Sequence, residues 1–191
     1  MSVNLQKGQK VELRKSDGNA LNQVMVGLGW DEANDGSQSI DCDATAFLCV
    51  NDHIANNDDI VYFGHLEHSS GSVKHMGDNL TGEGEGDDEQ IFVNLKKLPS
   101  KYNKIIFIVN IYQASQRRQH FGMISNAFIR IIDADNDQEL CKYNLSENYD
   151  GMTAMIFGEL YLHNGQWKFN AIGQATKDDS ISELAKRFMK N

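Results

Sequence analysis

The chain has 191 residues and a mass of 21.5 kDa, the size of one domain. Hydrophobic residues make up 40% and charged residues 24%, the balance of an ordinary globular protein with a sizeable core. The net charge of −9 argues against duplex nucleic acid or an anionic membrane face as the main partner, because phosphate binding needs clustered Lys and Arg; a cation suits it better. Three cysteines, Cys42, Cys49 and Cys141, cannot close a disulfide set. The stretch Met1–Lys7 has no apolar signal core, and the longest strongly apolar run, Ile105–Val109, is far short of a roughly 20-residue membrane span. These features predict a cytoplasmic protein with no transmembrane segment, and they are compatible with a membrane-associated complex.

In chain order, the hydrophobic period is two almost everywhere. Val24, Val26, Leu28 and Trp30 alternate with Met25, Gly27 and Gly29. Ile91, Val93 and Leu95, then Ile105, Phe107, Val109 and Ile111, then Trp167, Phe169 and Ala171 do the same. Such alternation sets one face of a strand on a core. About ten runs are predicted as strands, near 9–14, 22–30, 41–50, 60–64, 90–95, 104–112, 126–133, 139–145, 152–162 and 166–175. Asn164-Gly165 is a two-residue hairpin signal, and Asp133–Asp137 reads as another turn. Residues 113–121 suggest a short helical turn. Only the end is clearly helical: Ile181, Leu184, Ala185, Phe188 and Met189 follow helical spacing, and Ser180 with Glu183 forms a capping box. The predicted fold is therefore all-β, a two-sheet sandwich spanning 1–191 as one domain, with a C-terminal helix over 180–190.

The informative segment is Gly77–Glu89. From Asp78 to Glu89 it carries six carboxylates and no basic residue, with glycines at 77, 82, 84 and 86. Like charges repel and glycines lose backbone entropy on ordering, so the segment orders readily around something positive. A hard divalent cation fits: calcium takes about six to eight oxygens in flexible geometry. Softer metals would want His or Cys, which the loop lacks. Asp41-Cys42-Asp43 opens an apparent strand and Asp31 ends another, so strand ends meeting the loop would give one pocket oxygen ligands from three segments.

The stretches Val26-Gly27-Leu28-Gly29-Trp30-Asp31, Asp41-Cys42-Asp43-Ala44 and Gly71–Glu89 resemble the TerD family of tellurite-resistance and stress proteins, as do Asn126-Ala127-Phe128-Ile129-Arg130 and Thr153–Tyr161. The resemblance covers nearly the whole chain. It implies a calcium-binding β-sandwich holding two ions, in a bacterial cytoplasmic resistance system whose other proteins are its partners. The ligands it implies are Asp31, Asp41, Asp43, Asp78, Asn79, Glu85 and Asp88, with backbone carbonyls from Leu80 through Gly82 to Glu83. Asp87 also belongs to the implied metal-binding segment, and Glu83, Asp87 and Glu89 stand as outer or solvent-facing carboxylates. The family's usual Tyr-Asn-Asn-like run is replaced here by Tyr62–His68.

Three function classes follow. The first is a calcium-dependent binding or regulatory module with no catalytic residue. The second is a divalent-metal phosphoester hydrolase, which would prefer magnesium or manganese. The third is a metal-stabilised interaction protein whose partner binding ignores calcium. Other motifs read as structure. Asp133–Asp137 opens like an EF-hand, but Gln138 stands where glycine is needed and Asn144 where a bidentate Glu belongs. His65-Leu66-Glu67-His68 with His75 is a weak zinc signal. Cys42 and Cys49, seven apart, face opposite sides of a regular strand as small buried hydrophobes. Arg117-Arg118 is a solvated turn, and no nucleotide loop occurs.

Overall fold

The structure, a computed structural model, describes residues 2–15, 17–32, 39–77 and 86–190. Among these residues twelve strands form two six-stranded sheets packed face to face, a β-sandwich. The strands are β1 (Val3–Leu5), β2 (Lys10–Glu12), β3 (Gln23–Glu32), β4 (Cys42–Cys49), β5 (Ile60–Val61), β6 (Val73–His75), β7 (Glu89–Asn94), β8 (Lys104–Ile111), β9 (Ile124–Asp133), β10 (Gln138–Asn144), β11 (Ala154–His163) and β12 (Gln166–Thr176). The first sheet runs β1-β10-β9-β3-β7-β6 and the second β2-β12-β11-β8-β4-β5. Each of the ten expected runs overlaps one of these strands. β1 and β6 were not expected; at three residues each they are too short to show alternation.

The inner faces are the alternating residues. Val24, Val26 and Leu28 of β3, Ile91 and Val93 of β7, and Ile129 and Ile131 of β9 join Ile105, Phe107 and Val109 of β8 in one core. On β11, Met155 and Phe157 point inward, and a register shift between Ile156 and Gly158 lets Leu160 do so as well. The second sheet is buried on both faces. Its outer residues Phe47, Cys49, Ile106, Ile108 and Ile156 pack with Leu184 and Ala185 of the C-terminal helix α2 (Ile181–Lys186).

Ser180 Oγ accepts the Glu183 N–H at 3.2 Å and caps α2. Glu183 reaches one residue further back than a capping box requires, accepting the Asp179 N–H at 2.8 Å. The helix is shorter than expected, ending at Lys186 rather than 190. The Phe188 carbonyl accepts the Ile54 N–H at 2.8 Å, which draws the chain into an extended bridge alongside Ile54. The expected turn over 113–121 contains the four-residue helix α1 (Ala114–Arg117), followed by a 3-10 turn over Phe121–Met123. Asn164 and Gly165, both at positive φ, join β11 to β12.

Candidate functional site

The site grows from two missing side chains. On β3 the outward positions 27 and 29 are glycines, which leaves a trough across the first sheet. Asp87 lies over Gly27, where a Cβ would collide with its carboxylate. The Phe128 ring and the Gly86 carbonyl fill the space over Gly29. The residues leaving the acidic loop therefore lie flat on the sheet, and Gly86 itself is at positive φ.

Asp87 is fixed there from both neighbouring strands. Arg130 of β9 donates from Nε to Oδ1 at 2.6 Å and from Nη2 to Oδ2 at 3.0 Å; Gln90 of β7 donates to Oδ2 at 2.9 Å. Both residues are register partners of Gly27. The Asp87 side chain is 1% exposed, so this carboxylate fastens the stem of the loop to the sheet. Arg130 also donates to Glu139 at 3.3 Å.

The next residue, Asp88, faces the other way along the stem. Its Oδ2 accepts the Trp30 backbone N–H at 2.7 Å, and its own N–H bonds to the Leu28 carbonyl at 2.8 Å. Burial, reinforced by the negative charges of Asp31 and Asp87, holds its carboxyl above the usual carboxylate range, against the opposing bond from Trp30. Asp31 follows a register break in the β3–β9 pairing between Gly29 and Asp31, and its Oδ2 accepts the Asn126 side-chain amide at 2.7 Å. Asn126 itself has φ of 52°, left-handed backbone inside a strand. Asp31, Asn126, Trp30 and Gly86 line one groove on the outer face of the first sheet.

The remaining carboxylates sit at the second sheet. Asp43, 3% exposed, pairs with Asn110 across β4 and β8, and Asp41 precedes β4. Glu89 joins the two groups. It is the first residue of β7, yet its Oε2 accepts the Ala44 backbone N–H of β4 at 2.5 Å. His75 Nδ1 accepts the Gly77 N–H at 3.2 Å, and its Nε2 lies 3.3 Å from Glu89 Oε2. Adjacent residues thus hold the loop exit, Asp88 to one sheet and Glu89 to the other.

Of the expected ligands, Asp31 lies near the end of β3 and Asp88 at the loop exit, where the charge of Asp31 acts on it; Asp87 lies over Gly27, and Asp41 and Asp43 stand at the start of β4, next to the Ala44 N–H that Glu89 accepts. Asp78, Asn79, Leu80, Gly82, Glu83 and Glu85 lie outside the described residues. Among the described residues no three His, Cys, Asp or Glu side chains form a metal-holding group on their own. Sequence reasoning missed the anchoring roles of Asn126, Arg130, Glu89 and His75. The signal for the first two was the stretch Asn126–Arg130, quoted for its resemblance and left without a function.

Among the other histidines, His68 has a structural role. His68 is buried with Nε2 at 3.1 Å from the Tyr102 hydroxyl and 3.2 Å from Asp58. The Tyr102 hydroxyl donates to the fully buried Asp59 at 2.5 Å, and the N–H groups of Ala55 and Asn56 donate to its other oxygen. In the Asp133–Asp137 turn, Asp135 accepts from Asn22 at 3.1 Å and Gln23 at 2.8 Å and pairs with Lys15, clamping the N-terminal segment to the β9–β10 hairpin. All three cysteines are buried, and Cys42 and Cys49 belong to opposite faces of the second sheet.

The chain belongs to the TerD domain family, whose model matches residues 1–188. It is 49% identical over 175 residues to the tellurium resistance protein TerD of Serratia marcescens, covering 91% of each chain. It is 42% identical over 200 residues to the stress response protein SCP2 of Bacillus subtilis (strain 168), covering 99% of this chain and 100% of that one. A solved structure of a telluride resistance protein (TerD) homologue from Streptomyces coelicolor A3(2) shares the fold, with a TM-score of 0.68 at 21% identity, covering 90% of this chain and 100% of that one. These relatives carry the names of resistance and stress proteins rather than of enzymes. Among the described residues no helix is long and apolar enough to cross a membrane.

Proposed function

We propose that this chain is a calcium-binding module of a bacterial tellurium-resistance and stress-response system, acting in the cytoplasm as a binding or regulatory protein. The observation that carries the reading is the partly buried Asp88 carboxylate at the exit of the acidic segment, on which the negative charge of Asp31 acts. Burial and the nearby negative charges of Asp31 and Asp87 disfavour the charged form of Asp88, and a cation relieves both effects. The donor chemistry fits a hard ion: carboxylates from Asp31 and Asp88, then Asp41 and Asp43, with the loop's Asp78, Asn79 and Glu85 and the carbonyls of Leu80, Gly82 and Glu83 completing the set for two ions. Bound calcium supplies the positive charge that neutralises part of the −9 and ties the loop to its anchored stem. Stability then rises with free calcium by linkage, and the ordered loop offers a surface to other proteins of the resistance system.

The test is isothermal titration of metal-stripped protein with calcium, with magnesium as competitor. Calcium-selective binding of more than one ion per chain supports the reading. A preference for magnesium or manganese, together with phosphoester turnover, would replace it with the hydrolase. Partner capture that is unchanged by chelator would reduce the metal to a structural part.

A further inference from the structure

Asn126 occupies a conformation that a strand residue ordinarily avoids. Its φ of 52° is left-handed, and it lies opposite the register break that follows Gly29. Asn tolerates this backbone better than most residues, but glycine would tolerate it better still. The side chain explains the choice. Nδ2 donates to Asp31 Oδ2 at 2.7 Å, while the neighbouring Ser125 hydroxyl lies 3.5 Å from the Asp31 carbonyl. Asp31 is an exposed residue near the end of β3, with little packing to hold its carboxylate still. Asp88 shows the same device built from backbone: one carboxylate oxygen, Oδ2, is held by the Trp30 N–H. Each of these two carboxylates therefore has its Oδ2 held by an N–H donor, with Oδ1 left to offer to a cation.

We infer that Asn126 is a positioning residue for the cation site: its left-handed backbone aims the amide that fixes Asp31, and so sets the affinity of the site without touching the ion. This rests on the calcium reading above. Donors held to a metal-binding carboxylate typically set metal affinity by about ten- to hundredfold.

Asn126→Gly separates the two contributions, because glycine keeps the backbone and removes the amide. Calcium titration of metal-stripped protein should show affinity falling by about ten- to hundredfold, while the melting temperature of the metal-free variant stays at or above that of the original chain. The calcium-induced rise in melting temperature is the second readout and should shrink in parallel. In an Asp31→Asn background, Asn126→Gly should add little further loss, since the two residues act as one unit. Undiminished calcium affinity in Asn126→Gly overturns the inference and leaves the calcium reading standing. So does an equal loss with and without Asp31, which would mean that Asn126 acts on the fold at large. No calcium binding by the original chain overturns both.

Discussion

Glu89 accepts the backbone N–H of Ala44 at 2.5 Å, so a β7 side chain in one sheet caps a β4 backbone donor in the other. The cap is needed because β5 pairs only with Ala46 and Phe47, and Ala44 lies beyond its reach. A buried donor left without an acceptor costs about 1–3 kcal/mol. Glu89→Ala should therefore destabilise the fold by about that amount in chemical denaturation, and Glu89→Gln, which keeps an acceptor for Ala44, by less. Equal losses in the two variants would show that the charge facing His75, rather than the Ala44 bond, carries the effect.

Gly27 and Asp87 compete for one volume. In Gly27→Ala the new methyl must displace a carboxylate that Arg130 and Gln90 hold in place. Overpacking of this kind costs about 1–3 kcal/mol. Thermal denaturation should show that loss, and it should shrink in an Asp87→Ala background, where the collision is gone. Additive losses would mean that the methyl meets the sheet rather than the aspartate.

The end of α2 carries an acid-sensitive tether. Burial alone would raise the Asp178 carboxyl, but the bonds from Arg187 (2.7 Å) and the Thr176 hydroxyl outweigh it, so its pKa is lowered. A lowered folded-state value means the tether's contribution is complete above the unfolded carboxylate pKa of about 3.9 and is lost as pH falls through the folded value. In Arg187→Gln the fall in stability as pH drops below about 4 should be shallower than in the original chain. Parallel curves for the two proteins would remove Asp178 from the acid response.

Burial pushes the thiols of Cys49 and Cys141 up to about 12. At pH 8 neither presents a thiolate, the form that reacts. Ellman's reagent should label the native protein slowly, at a rate set by opening of the sandwich, and label all three cysteines at once in denaturant. Rapid native labelling would show a thiol open to reagents in the folded protein.

Legibility followed the length of each element. Strands such as β3 and β8 show a full period of alternation, so their runs were plain. β1 and β6 span three residues, fewer than a pattern needs, and their places are set by partners far along the chain: Cys141 for Val3, Ile91 for His75. The helix was overextended because Phe188 and Met189 keep helical spacing while a backbone bond to Ile54, invisible in a local window, takes the chain elsewhere. At the site, the acidic composition announced itself, but its division of labour did not. Asp87 and Asp88 are identical neighbours in sequence. The missing side chain at Gly27 draws one onto Arg130, while the Trp30 N–H holds the other at the mouth.

The acidic segment between Gly77 and Gly86 connects β6 to β7, which are hydrogen-bonded neighbours. Both ends of the acidic segment are thus mounted on adjacent rails of the same sheet, with Asp87, Asp88 and Glu89 as fasteners on the exit side. Closing a longer or shorter chain between fixed rails changes the closure entropy only slowly with length. The sandwich therefore works as a socket: a foreign segment could be spliced between residues 77 and 86, turning the protein into a scaffold for displaying other loops.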